Sequence, residues 1–424
     1  MDNIAGMRDG FGLELRRRRF LAQVFASVAE SFGYEPVSIS LIERAEAYSE
    51  DIVGLSPWPE WNRRGCFFFP IEDYVGGYDQ QPSITDAVLV PEGTLSITRW
   101  LGAQLDQDSA ATLLPMRIYY EQPCFRNELL GTLGKGKVRA FSQFGLEILG
   151  GRGVVADVEP LVLANEMLVA AAGTGTPPVE FRISSNKLFL ALAAEAGLTA
   201  QQRVQAKEAL DTLAECKAGK RPEREPVTRR ELMDLLSGTS TGRLLPLWTY
   251  IIDRPPGLIA DSDVRAFADL MPDEVEYLRD VTQVLNEHGI CCTIDFCVVR
   301  SHEYYTGLTF EIDVLGAGTR YVEVGGGGRY DRLLGNFVAP GGPEQVPSTG
   351  FAFGLERLQA ALEAERSLPE RADRPRTFDL SSGQVRRYPA LDPGSAPADA
   401  AAAYLTSVRT LRSERQDQRI AVDL

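Results

Sequence analysis

The order of apolar and polar positions along the chain predicts its elements. Between Leu13 and Phe32 the residues Phe20, Leu21, Val24, Phe25, Val28 and Phe32 recur at the spacing of one helix face, and Gly33 supplies a C-terminal stop. Beyond it, "CFFFPIEDY" and "DAVLVPEGT" read as strands across a polar Gly/Pro loop, and "MRIYYEQPCFR" and "VRAFSQFGLEILG" read as two more. Residues 157–172 return to helical spacing, and from about Phe181 to Gly238 an Ala/Lys/Glu/Arg-rich stretch predicts a small helical module. A helix from Val275 to His288 stops at Gly289, after which "CCTIDFCVV" and "GLTFEIDVLG" read as strands. In the latter, Leu308, Phe310, Ile312 and Val314 alternate with Thr309, Glu311 and Asp313, the period of a half-buried strand. Finally "GFAFGLERLQAALEAE" turns from a glycine into a helix. Strands that follow one another without intervening helices favour an antiparallel sheet, hence an α+β fold rather than a doubly wound parallel one.

Composition changes this picture little. The chain has 424 residues, 44% apolar and 24% charged, which suits a globular protein of two or three domains. A net charge of −15 argues against bulk nucleic-acid binding and leaves room only for a local basic groove. The "RRRR" at 16–19 lies in the first helix, and its plain reading is a solvated turn rather than a polyanion site. Six cysteines without paired CxxC spacing imply a reduced, cytoplasmic setting. The opening "MDNIAGMRDGFG" lacks an export pattern, and no run approaches the roughly 20 apolar residues that span a bilayer, so a soluble, unexported protein without membrane partners is expected.

Several short stretches carry candidate chemistry. In "CFRNE", Arg126 and Glu128 share one face if the strand continues, fit to grip a phosphate and accept from an amino group; the bland alternative is a surface ion pair. In "RAFSQFGLE" the same parity groups Arg139, Phe141, Gln143, Gly145 and Glu147, where an aromatic can stack on a base and the amide and carboxylate can hydrogen-bond a polar ligand. "VPEGT" is either a tight turn or a placed carboxylate, Glu92. "GGGGRYDRLL" from Gly325 lets backbone approach a ligand while Arg329 and Asp331 stay available, unless it is a flexible turn. "VVRSHEYYTG" sets Arg300, Tyr304 and Tyr305 at a strand entrance, and "GFAFGLER" brings Glu356 and Arg357 into the first turns of a helix. Walker, GxGxxG and HExxH signatures are missing, and no metal ligands are assigned.

Taken in order, "GMRDGFGLELRRRRFLAQVFASVAESFGYEPV", "PEGT", "FRNE", "FSQFGLEILG", "YYTGLTFE", "GGGGRYDRL" and "GFAFGLERL" resemble the class II aminoacyl-tRNA synthetases, specifically histidyl-tRNA synthetase, over roughly residues 5–360. The resemblance implies a six- or seven-stranded antiparallel sheet with flanking helices, a homodimer, and amino-acid activation by ATP with Mg²⁺. It implies a catalytic core at 1–178 and 241–365, a helical insertion at 179–240, a linker at 366–398 and a truncated anticodon-domain remnant at 399–424. Residue by residue, it places Arg126 and Arg300 on the α-phosphate and Arg357 on the terminal phosphates. Glu128, Arg139 and Phe141 fall at the nucleotide. Glu92 and Gln143 fall where the α-amino group is held, Glu147 and Tyr305 where the two imidazole nitrogens are held, and Thr94 and Tyr304 also fall in the amino-acid site.

Three departures from the family pattern bear on the acyl acceptor. The loop "ELLGTLGKGKVRA" replaces the family's ERPQ and short basic turn, with Lys135 and Lys137 its only cations before Arg139. The C-terminal unit is far shorter than a domain of about a hundred residues. Ser301, His302 and Glu303 stand inside a family RGLDYY pattern. The expectation is activation of histidine or a close analogue, with transfer to an acceptor other than full tRNA. A histidine–tRNA ligase with a reduced C-terminal domain, and a histidine-sensing regulatory subunit of ATP phosphoribosyltransferase, stand as alternatives.

Overall fold

The computed structural model describes residues 3–54, 64–105, 113–133, 137–172, 179–238, 244–300, 304–316, 320–340 and 342–364, together with Leu368 and Thr406. Apart from those two residues, the expected linker and C-terminal remnant lie outside the described part.

A main sheet organises the fold. In chain order its strands are β1 (Glu35–Pro36), β5 (Met116–Phe125), β6 (Ala140–Leu149), β7 (Val179–Ser185), β8 (Cys292–Ile294), β9 (Leu308–Gly316), β10 (Arg320–Arg329) and β11 (Ser348–Gly354). In space they run β1-β5-β6-β11-β10-β9-β7-β8. The six inner strands pair antiparallel, as the strand succession predicted. The two short edge strands pair parallel, β1 on β5 and β8 on β7, which makes the sheet mixed and eight-stranded. "CFFFPIEDY" and "DAVLVPEGT" contribute β3 (Phe68–Asp73) and β4 (Ser83–Leu89) to a separate three-stranded sheet with β2 (Ile42–Arg44).

Each inner strand divides its residues between two faces because successive side chains alternate. On β6, Phe144, Leu146 and Ile148 face the helices α1 (Leu13–Ser31) and α3 (Gly153–Ala171), where Phe25 meets Phe144 edge-on at 5.4 Å between ring centres. The partners in alternation, Phe141, Gln143 and Glu147, open onto a cleft on the other face. A helix α2 (Gly93–Gly102) lies at that face, α8 (Pro272–Glu287) precedes β8, and α9 (Leu355–Ala364) follows β11 directly. Thus "GFAFG" is a central strand that passes at Gly354 straight into the helix.

Three local expectations change. The predicted helical module begins with a strand: β7 sits between β9 and β8, and only then come α4 (Asn186–Glu195), α5 (Ala200–Lys217), α6 (Glu225–Ser237) and α7 (Leu245–Asp253). "CCTIDFCVV" keeps only three residues as strand. The β9 strand is covered on both faces, because Arg182 of β7 reaches across to Asp313 at 2.5 Å and to Glu311, and Lys220 pairs with Asp313 at 3.3 Å. Its two carboxylates are buried by pairing rather than solvated.

Candidate active site

A cleft of about 390 Å³ opens on the polar face of the central strands. Eleven of the twelve residues to which the family resemblance gives a role line it: Glu92, Thr94, Arg126, Glu128, Phe141, Gln143, Glu147, Arg300, Tyr304, Tyr305 and Arg357. The twelfth, Arg139, does not. It precedes β6, and its guanidinium donates to the carbonyls of Glu128 at 3.2 Å and Ala5 at 3.3 Å, so it ties the N-terminal segment to the turn after β5.

At one end, "PEGT" begins α2. The Glu92 carboxylate accepts the backbone N–H groups of Leu95 at 2.7 Å and Thr94 at 2.9 Å, so the residue that caps the helix is also fixed in the cleft. Burial raises its pKa, and those two N–H groups and Arg126 oppose the rise. Beside it, the Gln143 amide oxygen accepts Gly93 N–H at 2.7 Å.

The Glu147 carboxylate is held at both oxygens, by Thr94 Oγ1 at 2.7 Å and Tyr330 Oη at 2.5 Å. Burial lifts its pKa to about 8, against the two hydroxyl donors, and Glu92 adds to the rise. Gly350 on β11 is opposite; a Cβ there would lie 1.8 Å from Glu147 Oε2. Tyr304 and Tyr305 close this end with ring centres 4.7 Å apart, both buried.

The middle of the cleft is cationic. Arg126 donates through Nε to the Pro91 carbonyl at 3.0 Å, and its guanidinium lies 5.3 Å from the Phe141 ring centre. Arg300 donates to Glu323 at 3.0 Å and lies 3.8 Å from Glu311. Burial works to lower its pKa, but Glu323 and Glu311 raise it above its ordinary value, so it stays charged. Glu323 also faces Arg357 at 3.7 Å; burial favours its neutral form, yet Arg300, Arg357 and Lys220 bring it down to about 2. One extra residue between Glu323 and Gly325 shifts the register of β10, so Glu323, Val324, Gly325 and Gly326 all border the cleft. The four glycines are therefore strand, and at Gly326 a Cβ would lie 2.8 Å from Arg300 Nη1.

Arg329 is not available to a ligand. It is buried against Asp157 at 2.7 Å, Asp331 at 3.0 Å and the Gly151 carbonyl at 3.0 Å. The "RRRR" turn also finds partners: Arg17 pairs with Glu363 at 3.0 Å and Arg18 with Glu356 at 2.5 Å, while the other Glu356 oxygen accepts Ser142 N–H. Sequence reasoning missed Glu323, and it missed Glu208, Asp211, Thr212 and Glu215 of α5, which line the opposite wall. Their spacing of three, four and seven residues marks one helix face, a signal that is readable once the helix is known to border a cleft. Ser301, His302, Glu303 and Lys135 lie outside the described residues. Among the described residues, no helix is long and apolar enough to cross a membrane.

A sequence profile described as Histidyl-tRNA synthetase matches residues 86–358. The histidine–tRNA ligase of Moorella thermoacetica is 29% identical over 365 residues, covering 86% of this chain and 74% of that protein. That of Thermus thermophilus is 27% identical over 369 residues, covering 87% and 76%. Among solved structures, a histidine–tRNA ligase subunit from Alicyclobacillus acidocaldarius has a TM-score of 0.58 and 25% identity, covering 86% of this chain and 98% of that chain. A structure described as an ATP phosphoribosyltransferase regulatory subunit/histidyl-tRNA synthetase from Bacillus halodurans has a TM-score of 0.60 at 21% identity, covering 85% and 83%, a likeness of fold.

Proposed function

The chain belongs to the histidyl-tRNA synthetase family, and from that premise we propose that it activates histidine, or a close analogue, with ATP as an aminoacyl-adenylate. The observation that carries the reading is the convergence of Glu92, Glu147, Arg126, Arg300 and Arg357 on one cleft although they come from five separate stretches of chain.

In this reading the α-ammonium meets Glu92 beside Gln143, and the imidazole lies between Glu147 and Tyr305. Thr94 and Tyr330 fix the Glu147 carboxylate before substrate arrives, which favours a side chain with nitrogen donors and penalises an apolar isostere. The amino-acid carboxylate is ionised near neutral pH, so no general base is needed. One of its oxygens bonds to the α-phosphorus, the bond from that phosphorus to the bridging oxygen breaks, and pyrophosphate leaves with the electron pair. Arg126 and Arg300 flank the developing charge, Phe141 stacks on adenine with Glu128 nearby, and Arg357 meets the terminal phosphates. Mg²⁺ would neutralise the terminal phosphates when bound; among the described residues no cluster of three His, Cys, Asp or Glu side chains is placed to hold it, and Glu311 and Glu323 are already paired with Arg182 and with Arg300 and Arg357. Homodimerisation and a cytoplasmic setting belong to the same reading.

The test is ATP–pyrophosphate exchange across an amino-acid panel. Histidine-dependent exchange that Arg300→Ala lowers by at least about a hundredfold is expected. Tight histidine binding without exchange for any amino acid would instead identify a histidine sensor.

A further inference from the structure

Tyr304 and Tyr305, which close the Glu147 end of the cleft, stand on a turn at 304–307 that precedes β9. The turn is gripped from two sides. On one, Thr306 N–H donates to the Arg329 carbonyl at 2.8 Å, and Thr306 Oγ1 accepts Asp331 N–H at 3.0 Å. On the other stands Asn186, the first residue of α4. Its N–H donates to the Gly307 carbonyl at 3.0 Å, and its side-chain Nδ2 donates to the Tyr305 carbonyl at 2.7 Å. Asn186 is 0% exposed, and its Oδ1 finds no hydrogen-bond partner. A buried amide with an idle acceptor costs stability, so the donor to Tyr305 is what the side chain contributes. Its own position is fixed independently of the turn. Ser185 closes the β7–β9 ladder opposite Leu308, and Ser185 Oγ and Lys187 Nζ both donate to Glu274 of α8, at 2.6 Å and 2.8 Å. A rigid amide therefore sets an irregular turn, and the turn carries the Tyr305 side chain into the cleft.

We propose that Asn186 is a positioning residue for amino-acid selectivity: through the Tyr305 carbonyl it fixes the depth at which the Tyr305 hydroxyl meets the substrate ring. The inference rests on the histidine-recognition part of the reading above. Asn186 does not line the cleft and acts only through Tyr305. A hydrogen bond to a ring nitrogen weakens steeply once its distance or angle drifts, whereas dispersion contact with the ring is spread over many weak atom pairs. A small shift of the turn therefore weakens binding of an imidazole more than binding of an apolar ring of the same shape. Selectivity, rather than affinity as such, is the property that Asn186 controls.

The test compares the full wild-type chain with Asn186→Leu, which keeps the volume of the side chain and removes its donor. Isothermal titration calorimetry gives the affinity for histidine, for thienylalanine, an apolar ring of like size, by displacement of histidine, and for ATP. Wild-type protein is expected to prefer histidine. Asn186→Leu is expected to lower the ratio of histidine to thienylalanine affinity about tenfold, chiefly through histidine, with the affinity for ATP unchanged. If Asn186→Leu does not fold, Asn186→Ala is expected to give the same fall in the ratio. An unchanged ratio overturns the inference. So does a parallel loss of affinity for histidine, thienylalanine and ATP, which a purely structural role would give. Wild-type protein that binds no histidine overturns the recognition reading itself. Histidine binding without pyrophosphate exchange overturns activation alone, because the ratio is read from binding.

Discussion

Two residues set the sharpest expectations. The Glu147 carboxyl is raised by burial from its ordinary 4.5 to about 8. Between those values the unfolded chain binds fewer protons than the folded one, so this group lowers stability as pH rises through that window, at about 1.4 kcal/mol for each pH step of one. Glu147→Gln removes the titration, and its melting temperature relative to wild type should climb from about pH 5 to about pH 8 and then level off. A difference that stays flat across that range in thermal melts would show that the carboxyl titrates normally. At Gly326, a Cβ would lie 2.7 Å from the Phe310 carbonyl and 2.8 Å from the Arg300 guanidinium. Gly326→Ala should therefore cost about 1–3 kcal/mol in denaturant melts and displace Arg300. Exchange should drop on the order of a hundredfold, since small misplacements of an aligning group are costly.

At the scale of elements, β7 and β9 are joined as much by charge as by backbone. Arg182 is 3% exposed and spans Glu311 and Asp313, both buried. Arg182→Met removes the cation that the two carboxylates share and leaves Asp313 to Lys220 and Glu311 to Arg300, and a loss of about 3 kcal/mol is expected by urea unfolding. The same pair of strands shows where sequence reading stops. The alternation on β6 was legible because a period of two assigns Phe144, Leu146 and Ile148 to one face and Phe141, Gln143 and Glu147 to the other without knowledge of partners. Arg139 shares that parity but precedes the strand, so the rule did not reach it. Strand β7 was hidden because a buried Arg182 breaks its apolar pattern, and its compensating carboxylates lie more than a hundred residues away. The α5 stripe was hidden for the opposite reason: polar residues on an amphipathic helix read as a solvated face until tertiary packing sets a cleft beside them.

For the whole molecule, the cleft draws on β6, β9, β10, β11, α2, α5 and α9 and on the turn after β5, so ligand binding is expected to stabilise the full cooperative unit. Histidine or ATP alone at about a hundred times its Kd should contribute about 2.7 kcal/mol, and the two together more than their sum if the proposed adenylate forms and engages both ends of the cleft. Differential scanning calorimetry with each ligand and with both checks this; strictly additive shifts would mean independent sites. The chain also fastens α1 to α9. Arg18 on α1 binds Glu356 on α9 across 338 positions, and β6 takes β11 as a neighbour across some two hundred. During synthesis, then, the strand that carries Gln143 and Glu147 emerges long before the strand that covers its edge. A nascent chain arrested before Ser348 carries most of the cleft-lining side chains but has an open hydrogen-bonding edge on β6. Such a chain is expected to be prone to aggregate, and the cleft is expected to be complete only after nearly all of the paired residues have left the ribosome.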